Sequence, residues 1–130
     1  MCRLAHDGSP GTVDYAAVFN KTISVAALDT KGNLADFSSS GSEVDLLAPG
    51  SNILSTYRWG TYVRLSGSSM AAAHTAGAAA LLRAKYPYED IHMIARRLMA
   101  GAMKIKEKDG QLTGAGVVRV DVSLKSYPGA

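Results

Sequence analysis

Hydrophobic positions form short uninterrupted runs in the first half of the chain. Residues 22–28 (T-I-S-V-A-A-L) and 44–48 (V-D-L-L-A) are mostly apolar, and turn-forming residues follow each run. Runs of this length are typical of strands that are buried on both faces of a sheet. Two more short strands are predicted at residues 53–57 and 62–65, on either side of Arg58-Trp59-Gly60.

Small apolar residues then dominate, and they predict a long helix. Residues 70–85 are apolar nearly all round, so we expect this helix to be buried on every side and to end before Pro87. A second helix is predicted from residues 88–90 to about residue 102, with four apolar side chains on one face: Ile91, Ile94, Ala95 and Leu98. The alternating run at 117–122 has the pattern of a further strand. Buried strands that alternate with helices predict an α/β fold with a mostly parallel sheet.

Composition narrows the function classes. At 130 residues the chain is one domain or part of one, and 47% hydrophobic with 19% charged residues is typical of a globular protein. The net charge of +3 comes from scattered Lys and Arg, which argues against nucleic-acid binding. The longest apolar stretch, residues 70–82, is too short to span a membrane, and no apolar segment typical of a signal peptide follows Met1. Cys2 is the only cysteine, so an internal disulfide is excluded.

The segment that carries candidate chemistry is residues 67–77 (G-S-S-M-A-A-A-H-T-A-G). It places Ser69 where a strand ends and the long helix begins. Unpaired N–H groups and the positive end of the helix dipole stabilise an anion at such a position. A serine there is either a plain N-cap or a nucleophile beside a site where negative charge develops on the substrate.

The same segment resembles a signature of the subtilases, the subtilisin-like serine proteases. Residues 67–74 resemble their G-T-S-M-A-[AST]-P-H motif, with Ser69 at the position of the nucleophile. Four more segments resemble the family in the same order, so that the resemblance covers roughly residues 5–125: Y-A-A-V-F-N-K-T-I-S-V-A-A-L-D at 15–29, L-A-D-F-S-S-S-G at 34–41, V-D-L-L-A-P-G-S-N-I-L-S-T at 44–56, and G-A-G-V-V-R-V at 114–120.

The resemblance implies a fold and a reaction. It implies that residues 1–130 form the C-terminal half of a doubly wound, mostly parallel catalytic domain that hydrolyses polypeptides. Ser69 would attack the scissile carbonyl, its backbone N–H would contribute to the oxyanion hole, and Leu65 and Ser66 would contact substrate. No metal takes part in this chemistry. Many relatives bind structural calcium, but no acidic cluster in this sequence indicates such a site.

The departures from the family concern the rest of the catalytic triad. In subtilases the triad runs Asp, His, Ser along the chain, so the first two segments would precede residue 1. His74 belongs to the signature, and it lies roughly 140° around the helix from Ser69. His92 has no supporting motif. We therefore expect no hydrolysis by this chain alone. The alternative is a truncated or pseudo-enzyme module that associates with a partner and has no catalysis of its own.

Three further positions depart from the family pattern. His6 lies near where subtilases have the Asn that donates to the oxyanion, so it is either a replacement donor or part of a divergent terminus. Asp14 aligns near the floor of the S1 pocket, where an acid would favour Lys or Arg; the alternative is an exposed loop aspartate. Ala73 replaces a proline, which should affect stability more than chemistry.

Half of a doubly wound sheet exposes surfaces that the complete domain would bury. It leaves an unpaired strand edge and an apolar helix face in water. We therefore expect this chain to form a homo-oligomer or to associate with the missing N-terminal half.

Overall fold

A parallel sheet forms the centre of the fold. The computed structural model describes residues 22–106 and 113–126, together with the backbone of residues 2–4. Three strands lie in the order β1 (Cys2–Leu4), β2 (Ile23–Leu28) and β3 (Leu46–Pro49), and both pairings are parallel. The α/β prediction is confirmed. β1 was missed, because a three-residue run next to a Gly- and Pro-rich segment carries no strand pattern.

The central strand β2 is buried on both faces, as its unbroken apolar sequence predicts. Val25 and Ala27 pack in the larger cluster, on the side of the long helix. Ala26 and Leu28 belong to a smaller cluster on the opposite face, together with Leu47 of β3. Alternation along an extended strand therefore supplies both cores, and it fixes the register between β2 and β3.

The described residues also form three α-helices: α1 (Ser68–Lys85), α2 (Ile91–Ala100) and α3 (Val120–Ser123). The side chain of Asp90 caps α2 by accepting a hydrogen bond from the Met93 N–H at 2.9 Å. Ile94 and Leu98 of α2 are buried as predicted, whereas Ile91, in its first turn, is 58% exposed. Both predicted long helices are present, with α2 ending two residues before the predicted position.

The burial of α1 differs from the prediction. Only one stripe is buried, at positions spaced by three or four residues: Ser68, Ala71, Thr75, Ala78 and Leu82. This stripe packs against β2 and β3, whereas the opposite side, including Ala76, Ala80 and the 56% exposed Leu81, faces solvent. The expectation of a helix buried on every side was wrong for this chain, because the described residues supply a layer against only one side of it.

Residues 117–122 also differ from the prediction of a strand. Val117 forms isolated bridges to Leu47 and Met103, and the chain then turns into α3. The alternating pattern arises because Val118 and Val120 pack against the main cluster from an irregular segment and a short helix. Alternating apolar residues thus marked half-buried positions without a continuous ladder.

The last two strands form a separate ribbon. β4 (Ile53–Thr56) and β5 (Tyr62–Leu65) pair antiparallel, with Ile53 opposite Leu65 and Thr56 opposite Tyr62. This hairpin leads directly into α1. In the described part of the chain, no helix combines the length and hydropathy needed to cross a membrane.

Candidate active site

Ser69 lies in the first turn of α1 and is exposed. Gly67 is the N-cap residue, and it contributes no side chain that could cover the first turn. The Gly67 N–H donates to the Gly50 carbonyl at 2.8 Å, which ties the start of α1 to the end of β3. The carboxyl edge of the sheet thus holds Ser69 among the N-terminal N–H groups of the helix, as the sequence predicts.

Gly50 allows this approach because it has no side chain. A Cβ atom at position 50 would lie 2.4 Å from the Ala27 Cβ and 2.9 Å from the Gly67 carbonyl oxygen. Both distances are shorter than van der Waals contact, so a larger residue would push β2 or the turn at Gly67 away. The position of Ser69 therefore depends on Gly50, nineteen positions upstream, in the A-P-G segment that the sequence singled out.

Ser66 holds the other side of the turn. Its Oγ accepts a hydrogen bond from the Asn52 N–H at 2.8 Å, and Arg64 donates to the Asn52 carbonyl at 3.0 Å. Asn52 adopts the left-handed backbone conformation, with φ of 57°, which Asn tolerates better than most residues. In the described residues Ser66 thus closes the base of the hairpin, and its contact with substrate stays a prediction.

A pocket of about 450 Å³ opens beside Ser69. One wall is the hairpin and the other is the first two turns of α1, and its lining is mostly apolar: Ile53, Leu54, Ser55, Thr56, Val63, Leu65, Ser69, Met70, Ala73 and His74. Leu65 and Ser69, both predicted as site residues, are brought together here. The mostly apolar lining suits an apolar group, and Ser69 joins this lining from the first turn of α1.

The two described histidines have different surroundings. His74 also lines the pocket, and its Nδ1 lies 2.8 Å from the Met70 carbonyl oxygen. A carbonyl only accepts, so Nδ1 carries the proton in this contact. His74 is thereby oriented by its own helix, whereas a triad histidine is oriented by a carboxylate that stabilises its charged form. His92 lies on α2, is exposed and is not part of the pocket lining.

Carboxylates with shifted pKa values lie away from the pocket. Burial raises the pKa of Asp45, although its Oδ2 accepts a hydrogen bond from the Ser24 N–H at 2.8 Å. Hydrogen bonds from Arg97 lower the pKa of Glu89, and the bonds from Arg119 lower that of Asp121 to about 2. These groups therefore stabilise or strain the fold, and none of them lines the pocket beside Ser69.

Arg97 is a buried polar residue that the sequence did not reveal. Its guanidinium donates to both Glu89 carboxylate oxygens, at 2.6 and 2.7 Å, and stacks on the Tyr86 ring at 3.7 Å. It also donates to the Ser126 carbonyl. Only the aromatic and acidic residues just before α2, at positions 86–90, hinted at such a partner.

Two predicted site residues, His6 and Asp14, lie outside the described residues, so their roles stay predictions. The described residues contain no group of three or more His, Cys, Asp or Glu side chains that could hold a metal ion. We therefore assign no calcium ligand among them.

Comparison with known proteins agrees with this geometry. Residues 5–119 match the profile of the Subtilase family. Subtilisin DY from Bacillus licheniformis is 40% identical over 118 residues, which is 91% of this chain and 42% of that protein. Subtilisin E from Bacillus subtilis is 50% identical over 80 residues, or 62% of this chain and 21% of that protein.

Solved structures give the same result. The prenylagaramide maturation protease PagA superposes with a TM-score of 0.84 and 25% identity, over 95% of this chain and 49% of that one. For the patellamide maturation protease PatA the TM-score is 0.82 and the identity 26%, over 94% of this chain and 48% of that one. The chain spans less than half the length of each of these four proteins. The match of sequence and fold over nearly the whole chain shows that it belongs to the subtilase family.

Proposed function

We propose that Ser69 is the nucleophile of a peptidase site that a second polypeptide segment completes. The observation that carries the proposal is the position of Ser69, which is exposed in the first turn of α1 at the edge of a mostly apolar pocket. Its hydroxyl attacks the scissile carbonyl, and the N–H groups of the first turn stabilise the oxyanion. The substrate is a polypeptide.

The completing segment supplies the base. A serine hydroxyl is a weak nucleophile until a neighbouring base takes its proton. Among the described histidines, His74 donates through Nδ1 to the Met70 carbonyl, and His92 lies outside the pocket. In subtilisin, loss of the triad histidine alone lowers kcat by about 2 × 10⁶-fold, so this chain by itself has no measurable turnover.

The exposed side of α1 is where the completing segment packs. Ala76, Ala80 and Leu81 lie in solvent on a helix whose opposite side is fully buried against the sheet. Contiguous apolar surface of this kind marks an association surface. The occupant is the N-terminal half of a subtilase domain, and without it a second copy of this chain covers the same face.

A fluorophosphonate probe and a peptide ester test the proposal. The purified chain is assayed alone and after mixing with the N-terminal half of the subtilisin DY domain, and Ser69→Ala is compared with Ser55→Ala. Ser55 is the matched control because it lines the same pocket from β4, away from any helix N-terminus. We expect labelling and hydrolysis only in the mixture, lost in Ser69→Ala and kept in Ser55→Ala.

Each of the other possible results contradicts one part of the proposal. Turnover by the chain alone that disappears in Ser69→Ala would show that the site is complete without a second segment. Labelling that survives Ser69→Ala would remove Ser69 as the nucleophile. A mixture that associates but labels no serine would favour the alternative, a binding module without catalysis. The observation that supports this alternative is the hydrogen bond between His74 Nδ1 and the Met70 carbonyl oxygen, which already engages one ring nitrogen of His74.

A further inference from the structure

The tip of the β4–β5 hairpin carries a stacked aromatic and cationic group. Arg58 lies over the Tyr57 ring and over the Trp59 ring, at 5.2 Å from each centroid. It also donates to the Tyr57 hydroxyl at 3.2 Å. Trp59 is 88% exposed and Tyr57 is 45% exposed. We refer to Tyr57, Arg58 and Trp59 as the aromatic tip.

The backbone at Trp59 is unfavourable for its residue type. Trp59 has φ of 54° and ψ of 37°, in the left-handed region, and Gly60 follows with φ of 72°. Hairpins with two successive left-handed residues favour Asn-Gly, and a bulky residue at the first of them is strained. Because Trp59 is 88% exposed, with only the neighbouring Arg58 recorded over its ring, burial in the core does not explain the choice of tryptophan. Strained positions of this kind cluster at binding sites.

Charge indicates what the aromatic tip binds. Residues 46–88 contain four Lys or Arg and no Asp or Glu, although the whole chain has a net charge of only +3. Two of these cations, Arg58 and Arg64, are on the hairpin. Neither forms an ion pair within the part of the chain that the structure describes, where the salt bridges involve Arg97 and Arg119. Among the residues that the structure describes, the two hairpin arginines thus have no carboxylate counterion.

We propose that the aromatic tip binds an acidic stretch of the polypeptide substrate, at a distance from the scissile bond. Trp, Tyr and Arg are the residue types that dominate binding hot spots, and a guanidinium pairs with carboxylates by charged hydrogen bonds. This inference rests on the proposed function, because the peptidase site defines what the substrate is. It adds a second contact that selects among polypeptides.

The hairpin sets the spacing between the two contacts. Leu65 lines the pocket beside Ser69, and the aromatic tip lies about five strand residues farther along the ribbon. At about 3.3 Å per residue this is a separation of about 16 Å, which an extended substrate spans with about five residues. The acidic stretch therefore lies about five substrate residues from the position that faces Leu65.

Binding is measured on the full chain with a fluorescein-labelled decapeptide that alternates glutamate and alanine. Trp59 is the only tryptophan in the chain, so its emission reports contact with an unlabelled copy of the peptide directly. We expect saturable changes in emission and anisotropy that weaken with added salt. Arg58→Gln and Trp59→Asn should each raise the anisotropy Kd by at least tenfold. Asn suits the left-handed backbone at position 59, so this variant keeps the hairpin fold.

Arg83→Gln is the matched control. Arg83 lies in the same acid-free segment but at the other end of α1, so the variant loses an equal charge and should bind the peptide unchanged. Equal weakening by Arg83→Gln, or equal binding of a peptide with glutamine in place of glutamate, would overturn the proposal. Tighter binding of a single-stranded oligonucleotide or of anionic phospholipid vesicles would overturn it as well, in favour of a different partner. Fluorophosphonate labelling of Ser69 in the reconstituted mixture is measured separately, so loss of the peptide contact and loss of the nucleophile are distinguishable.

Discussion

Ala27 and Gly50 approach so closely that only a glycine fits at position 50. A Cβ atom there would lie 2.4 Å from the Ala27 Cβ and 3.2 Å from the Ala27 Cα. The Gly50 N–H also donates to the Leu28 carbonyl at 3.1 Å, so the backbone cannot retreat without losing that bond. The turn at Gly67 that leads into Ser69 therefore depends on a contact between the central strand and Gly50.

Gly50→Ala should lower the free energy of unfolding by about 1–3 kcal/mol, because the added methyl overpacks a tight contact. Gly77→Ala is the matched control: it adds the same methyl inside α1, where a Cβ would meet nothing within 4 Å. We expect this control to raise stability by about 0.5–1 kcal/mol, since alanine favours the helix. Urea titration of both variants tests the pair, and an equal loss in each would contradict the contact at Ala27.

The half-buried carboxyl of Asp45 should make stability fall as pH rises. Burial raises its pKa above the ordinary value of 3.8, so the folded state holds the proton more tightly than the unfolded state. The stability contributed by this proton is complete below pH 3.8 and is lost as pH rises through the folded pKa. Asp45→Asn should remove this decline, as measured by urea unfolding between pH 3 and pH 7.

A carboxyl NMR titration checks the same point within one sample. Asp121 should titrate at about pH 2 beside Arg119, whereas Asp45 should titrate above 3.8. If Asp45 lost its proton below 3.8, the hydrogen bond from the Ser24 N–H would outweigh burial, and the predicted pH dependence would reverse.

The pair of Glu89 and Arg97 should act in the opposite direction. Hydrogen bonds from Arg97 lower the pKa of Glu89 below its ordinary value of 4.5, so the stabilisation is present above pH 4.5 and is lost as pH falls through the folded pKa. Glu89→Gln should remove this loss at acid pH. Arg97→Met should also remove it while still covering the Tyr86 ring. Unfolding midpoints that decline equally with acid in wild type and both variants would show that the pair does not cause the loss.

Leu81→Lys should weaken self-association and pairing with a complementary half. Leu81 is 56% exposed on the solvent side of α1, and a lysine there places a charge on the proposed contact surface. Tyr88→Lys is the control, because Tyr88 is fully exposed outside α1. Light scattering should show a lower average mass for Leu81→Lys than for the wild-type chain, and an unchanged average mass for Tyr88→Lys. A stable monomer in the wild-type chain at high concentration would contradict the prediction.

The sequence predicted those features that have a continuous hydrophobic pattern. β2 and the two long helices are present close to the expected residues, because burial on one or two faces requires a fixed period of apolar positions. The position of Ser69 at the start of α1 was predicted because its motif is local. Its neighbours in the pocket, Ser55 and Val63, were not, since they arrive through the pairing of β4 with β5.

The burial predicted from composition was wrong where it depends on neighbouring helices or strands that the described residues do not provide. Alanine-rich α1 reads as a buried helix, yet Ala76 and Ala80 face water. Conversely, Arg97 reads as a surface residue, but the carboxylate of Glu89 and the Tyr86 ring allow its burial. Apolar residues show what a surface can bury, and only the neighbouring elements decide whether it is buried.

The hydrogen bond from Gly67 to Gly50 separates the hairpin from the scaffold that carries Ser69. Residues 51–66 leave the sheet after Gly50 and return to the same place at Gly67. The hydrogen bond between the backbones of Gly67 and Gly50 joins the two ends of this segment. Evolution can therefore replace residues 51–66 with a segment of a different length or a different tip, while the position of Ser69 at the start of α1 is unchanged. An engineer could do the same, grafting other recognition loops between positions 50 and 67 of this chain.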